Sequence, residues 1–215
     1  MPATAYPRTD RSTATRARDR MSYDRAAIHA VIDEAYHCHL AFVVDGEPRL
    51  LPTLHIRVGE TLYLHGSTGS YLMLAARGDG LPVSVAITHL DALILARSQV
   101  HHSANYRSVV AHGTARLVAD PATKRRVLDA LLERIATGRS QDSRPPTDAE
   151  LAATAVLGLP LAEASLRART GGVVDDEADL DLPHWAGVVP VSTTLGRPEP
   201  APGVVLPPPL LSGPA

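Results

Sequence analysis

Short apolar runs separated by polar turns dominate the middle of the chain, and helical spacing appears at only a few places. Ile28, Val31, Ile32 and Ala35 recur at helical intervals behind Asp24, a residue suited to cap a helix start. Residues 40–44, the pair Asp45-Gly46 and residues 49–58 then predict a hairpin. Gly59-Glu60 makes another turn, before a strand over 61–65 and a short helix over 70–77. Residues 82–88 and 92–97 predict two strands parted at Leu90-Asp91, and residues 107–118 predict a further one. Pro121 opens a long helix to about residue 136, followed by a loop over 138–146. Thr147 with Glu150 forms a capping-box start for a helix through residue 156. Residues 159–168 and 187–191 predict the closing strands, with the acidic stretch 175–181 between them.

Successive short strands joined by turns, with helices added around them, predict a mainly β fold with peripheral helices (α+β), built as an antiparallel barrel. A doubly wound α/β fold fits less well, because helices do not alternate regularly with strands. Residues 1–20 carry Arg8, Arg11, Arg16, Arg18 and Arg20 with little to bury, and predict a flexible basic arm. The globular pattern covers residues 21–192, and residues 193–215 form a proline-rich tail.

Composition narrows the function. A net charge of -2 gives no electrostatic case for nucleic acid or acidic lipid. No apolar run approaches the roughly 20 residues that span a bilayer, and no hydrophobic core follows the N-terminal arginines. Cys38 is the only cysteine, which excludes an intrachain disulfide and a cysteine-based zinc cluster; a cytoplasmic setting is expected. Lys124 is the only lysine and lies in a charged helical stretch, so neither P-loop nor Schiff-base chemistry has its lysine. No Gly-x-Ser-x-Gly elbow anchors a serine hydrolase.

Two stretches carry candidate chemistry. Asn105, Tyr106, Arg107 and Ser108 open a strand that then turns apolar, as though something anionic and planar lay against it. Upstream, a strand ending at His65 runs into Gly66, Ser67, Gly69, Ser70 and Tyr71 just before a helix. Hydroxyls and closely approached backbone N–H groups there suit a phosphate, and a guanidinium such as that of Arg107 pairs with phosphate bidentately. Alone, the Gly-Ser segment describes an ordinary turn and helix cap; paired with Tyr106-Arg107-Ser108 it favours a phosphate site. His65 and His55 are ligand contacts or polar groups satisfied at strand ends. His37, Cys38, His39, His101 and His102 invite a metal or haem, although adjacent His101 and His102 would point apart on a strand.

Taken in order with Gly46-Glu47-Pro48-Arg49 and Trp185-Ala186-Gly187-Val188-Val189-Pro190, these stretches resemble the pyridoxamine 5′-phosphate oxidase-like, FMN-binding split-barrel superfamily. Within it, the chain is most similar to the flavin-nucleotide-binding branch that includes the nitroimidazole-resistance reductases. The resemblance implies a six-stranded antiparallel split barrel that binds FMN, and a homodimer with flavin clefts between subunits acting on a small molecule. It implies phosphate and ribityl contacts at His65, Gly66, Ser67, Ser70 and Tyr71, and flanking contacts at Asn105, Tyr106, Arg107 and Ser108. Leu51, Pro52, Thr53 and His55 would face the flavin ring, and Trp185 would approach from the partner subunit. The oxidases place an Arg-Lys pair where this chain has Tyr71-Leu72, and their hairpin lysine has no counterpart. The phosphate would therefore rely on Arg107, helped by Arg57 or Arg77. The expected activity is an FMN-dependent oxidoreductase other than a true pyridoxamine 5′-phosphate oxidase, with His65 as its proton-handling group. The alternatives are a non-enzymatic flavin or haem carrier, and deazaflavin is a further candidate ligand.

Overall fold

The computed structural model describes residues 4–211; residues 1–3 of the arm and 212–215 of the tail lie outside the described residues. Asp24 caps helix α1 (Arg25–Glu34) by accepting from the Ala27 N–H, and Ile28, Val31 and Ile32 face the core. Strands β2 (His37–Val44) and β3 (Glu47–Leu54) form the predicted hairpin. Both turn residues, Asp45 and Gly46, have positive φ, so their twist matches that of the strands they join. Strands β4 (Ile56–Val58) and β5 (Thr61–Ser67), helix α2 (Tyr71–Ala75), and the long strands β6 (Leu81–Leu95) and β7 (Ser103–Leu117) follow. Helices α3 (Pro121–Ile135) and α4 (Asp148–Ala153) precede β8 (Thr154–Pro160), β9 (Glu163–Arg169) and β10 (Gly187–Pro190).

The sheet is antiparallel and open, with the order β3-β2-β6-β7-β8-β5-β4. Strand β7 holds it together. One edge pairs with β6, while the other pairs with β9 over residues 106–112 and with β8 at Arg116 and Leu117. This change of partner splits the barrel. Gly113 sits at the crossing, where a Cβ would come within 2.8 Å of Leu159 Cδ1. Alternate residues of the inner faces, among them Leu40, Val85, Ile87, Val109, Leu157 and Leu159, close over α1 in one core. The chain therefore forms the expected split barrel with peripheral helices.

The local differences have specific causes. Residues 81–95 form one strand, because a bulge at Asp91 absorbs an extra residue. The bulge moves the buried phase from Leu81, Val83, Val85 and Ile87 to Ala92 and Ile94, which is why the pattern looked broken. The helix from Thr147 stops at Ala153, because Thr154 pairs with Ser67 and starts β8. The predicted closing strand is two strands, parted after Pro160.

Within the described part of the arm expected to be flexible, residues 6–12 lie against the sheet. Tyr6 and Ser12 are buried, Tyr6 bonds through its backbone to Tyr23, and Met21–Ser22 (β1) pairs with β9. In the proline-rich tail Leu211 bridges to Ala136, while Leu206 and Leu210 are exposed. Among the described residues no helix is long and apolar enough to cross a membrane.

Candidate functional site

The Gly-Ser turn is built by the end of β5. That strand stays paired with β8 as far as Ser67, and Thr68 N–H then donates to the Ala153 carbonyl. Ser67 Oγ accepts from Gly69 N–H, and Ser70 caps α2 by accepting from Met73 N–H. The turn thus presents two hydroxyls beside close-approaching backbone. A cation stands over it that the sequence reading passed by. The Arg49 guanidinium lies 4.4 Å from the centre of the Tyr71 ring, and Tyr71 Oη donates to Asp45 at 3.1 Å. Arg49 has no carboxylate partner among the described residues, whereas Arg57 is clamped by Asp33 and donates to the Gly59 carbonyl. The available signal was its place in the Gly46–Arg49 hairpin, on the face it shares with Phe42.

His65 does not join this cradle. Leu62 and Leu64 take the core-facing positions of β5, which turns His65 outward into a crevice shared with Val127 and Leu131 of α3. His55 is buried with one ring nitrogen at 3.0 Å from the Ile32 carbonyl, and burial lowers its pKa. Burial pushes the Cys38 thiol up to about 12, which keeps it protonated and unsuited to a metal at neutral pH.

The stretch 105–108 is divided by strand alternation. Arg107 follows the inward phase of Val109 and Ala111, while Tyr106 and Ser108 take the opposite face. Ser108 Oγ lies 3.0 Å from Thr88 Oγ1 across the strand pair. Asn105 is buried, donating to the Gly171 carbonyl at 2.9 Å and accepting from Arg169 at 2.6 Å, so it pins the loop after β9.

Arg107 is fully engaged within the chain. Glu34 at the end of α1 takes both terminal nitrogens, one of them at 2.8 Å, and Asp91 accepts from Nη2 at 2.8 Å and Nε at 3.1 Å. The bulge that breaks the β6 pattern is what aims Asp91 at this guanidinium. The bidentate clamp expected to face a phosphate therefore faces Glu34. Arg107's hydrogen bond holds the Glu34 carboxyl below the usual glutamate range. His89, opposite Arg107 in register, approaches the Val31 carbonyl at 3.0 Å through Nε2 and Glu34 at 3.7 Å through Nδ1.

These groups floor a cleft of about 520 Å³, which also reaches His37, Leu90 and the segment 191–195. Its size suits an organic cofactor or substrate. No hydrogen bond or ion pair joins this cleft to the Ser67–Tyr71 turn among the described residues. Pro52 and Thr53 lie on β3 opposite His39 and Cys38. Trp185 is largely exposed, with its ring folded against Gly187. His101 bonds to Asp176 at 3.1 Å, and with Asp179 these residues gather ligand atoms within 4.8 Å of one another.

The comparisons with known proteins agree with the fold. The flavocytochrome Anf3 of Azotobacter vinelandii is 34% identical, with 94% of each chain covered and a TM-score of 0.87. An FAD- and haem-binding protein of Mycobacterium smegmatis is 38% identical over 88% of this chain and 94% of that one, with a TM-score of 0.82. A 5-nitroimidazole antibiotic resistance protein of Bacteroides thetaiotaomicron shares the fold at 16% identity, 80% and 90% coverage and a TM-score of 0.58. No curated protein matches in sequence. The pyridoxamine 5′-phosphate oxidase family profile matches residues 24–168, and the chain belongs to that family.

Proposed function

We propose that the chain is a flavin-dependent redox protein that holds the flavin phosphate at the Ser67–Tyr71 turn. The observation that carries this reading is the Arg49 guanidinium, without a carboxylate partner among the described residues, held over the ring of Tyr71, which directly follows the capping residue Ser70. Charge-assisted donors at a strand-to-helix turn are what a phosphate ester needs. FMN presents that phosphate at the end of its ribityl chain, and the flavin ring supplies hydride or electron transfer when bound. The chain's own residues bind and orient: Ser67 and Ser70 offer hydroxyls, Arg49 offers charge, and Thr53 follows on the same face of β3 as Arg49, whereas Pro52 takes the opposite face. The two relatives of more than 30% identity, a flavocytochrome and an FAD- and haem-binding protein, support a redox role and make haem the second group to consider. The exposed Leu50, Leu51 and Leu54 on the end strand β3 suit burial against a second copy, as in a homodimer.

Purified protein should show flavin absorbance close to one per subunit, or gain it on titration with FMN. Chromatography of the flavin released on denaturation identifies FMN or FAD, and bleaching by NADH or NADPH separates an enzyme from a carrier. Colourless protein with no binding heat for either flavin at several temperatures overturns the proposal. Arg49→Ala should weaken flavin binding about tenfold or more, the loss of one charge-assisted contact, while thermal stability holds. Unchanged affinity in a calorimetric titration removes Arg49 from the site.

A further inference from the structure

We propose that the cleft beside Arg107 binds a small organic cation, an ammonium group carried on a short apolar body. The inference goes beyond the flavin reading and does not depend on it, because it uses none of the groups at the Ser67–Tyr71 turn. Glu34 and Asp91 bring two negative charges to the cleft, and Arg107 brings one positive charge. All three guanidinium nitrogens are already engaged: Nη1 by Glu34, Nη2 by both carboxylates and Nε by Asp91. Among the described residues no other arginine or lysine lines the cleft, so one negative charge stays uncompensated.

Hydrogen bonding points the same way. His89 Nε2 lies 3.0 Å from the Val31 carbonyl, which only accepts, so Nε2 carries the ring proton. With that single proton, Nδ1 is an acceptor, and it stands 3.7 Å from Glu34 Oε1, another acceptor. Two acceptors thus face one another with no proton between them. Asp91 Oδ2 receives only Arg107 Nε among the described residues, at 3.1 Å, although a carboxylate oxygen accommodates two donors. An ammonium group supplies both missing elements, a positive charge and several N–H donors. A hydroxyl supplies a donor without the charge, and a carboxylate supplies neither. Ala35, Leu90 and Val191 line the cleft of about 520 Å³ and give the ligand's body an apolar wall. Val191 is fixed there, its N–H donating to the Asp91 carbonyl at 2.9 Å.

Calorimetric titration of the full chain with benzylamine, benzyl alcohol and benzoate tests the site with cationic, neutral and anionic probes of nearly one shape. Benzylamine should bind at least tenfold more tightly than benzyl alcohol, and benzoate should give no binding heat. Glu34→Gln keeps the side chain's shape, removes the uncompensated charge and should weaken benzylamine at least tenfold. Because Glu34 also holds Arg107, a second variant is placed on the cleft wall. Leu90 is 46% exposed, so Leu90→Lys should leave the fold intact, and its own ammonium should abolish benzylamine binding. Thermal unfolding reports the folding of both variants. No benzylamine binding by wild type overturns the proposal, as does benzyl alcohol binding equally well. Unchanged benzylamine affinity in Leu90→Lys, or in folded Glu34→Gln, overturns it too. FMN titration of the same samples reads the flavin proposal separately, and loss of either ligand leaves the other standing.

Discussion

Tyr6→Ala is expected to destabilise the fold by about 3–5 kcal/mol, the cost of truncating a buried aromatic side chain. The ring is 3% exposed, and the Arg25 guanidinium lies 4.3 Å from its centre. Its hydroxyl lies 2.9 Å from Glu60 Oε2 and 2.7 Å from His29 Nε2. Burial and Glu60 raise the phenol's pKa, so it stays protonated and donates to Glu60. His29, whose pKa burial lowers, then offers its Nε2–H to the phenolic oxygen. Tyr6→Phe keeps the ring and should cost only about 1–2 kcal/mol, the part due to hydrogen bonding. Urea unfolding of the two variants measures both terms. A loss below about 1 kcal/mol in Tyr6→Ala would show that the arm adds little to the folded core.

Composition hides this anchor. Arginines among small polar residues describe a solvated segment, and one tyrosine does not alter that reading. What ties the arm down is long-range: Glu60 for Tyr6, and Glu163 for Thr9 and Arg11. The barrel itself was legible because its strands bury one face and alternate. The Asp-Gly turn, the Asp24 cap and the Thr147–Glu150 capping box each showed their mechanism in a few neighbouring residues. Asp91 defeated the pattern because a bulge shifts the phase of everything after it.

The site was legible as a pair of stretches but not as geometry. Asn105, Tyr106, Arg107 and Ser108 are adjacent in sequence, so the strand itself sends them to two faces. Glu34 lies 73 residues from Arg107, and no local pattern announces that a helix end will deliver it. Arg49 was overlooked for the converse reason. It becomes a candidate only when α2 brings Tyr71 beneath the hairpin and leaves the guanidinium without a carboxylate.

Arg107→Ala is expected to cost about 2–3 kcal/mol at neutral pH, somewhat less than a fully buried ion network because its members keep partial solvent access. Arg107 is 31% exposed, Glu34 22% and Asp91 31%. Removing the guanidinium leaves the two carboxylates near one another without their shared cation. The sign of the pH dependence follows from Glu34. Its folded-state pKa is depressed by Arg107, so the stabilisation is complete above the unfolded pKa, by about pH 5, and fades as pH falls through the folded value. In the variant the cause of the depression is gone, and mutual repulsion favours protonating one carboxylate. The gap between wild type and Arg107→Ala should therefore be widest near pH 7 and shrink toward pH 3, as urea unfolding at several pH values can show. A pH-independent gap would mean that lost packing, not charge, sets the cost. Flavin affinity supplies the second readout. Because Glu34 and Asp91 already occupy the guanidinium, the variant should bind FMN within about threefold of wild type, a difference below 1 kcal/mol. A loss of tenfold or more would instead place Arg107 at the phosphate, with Glu34 as the partner it leaves on binding.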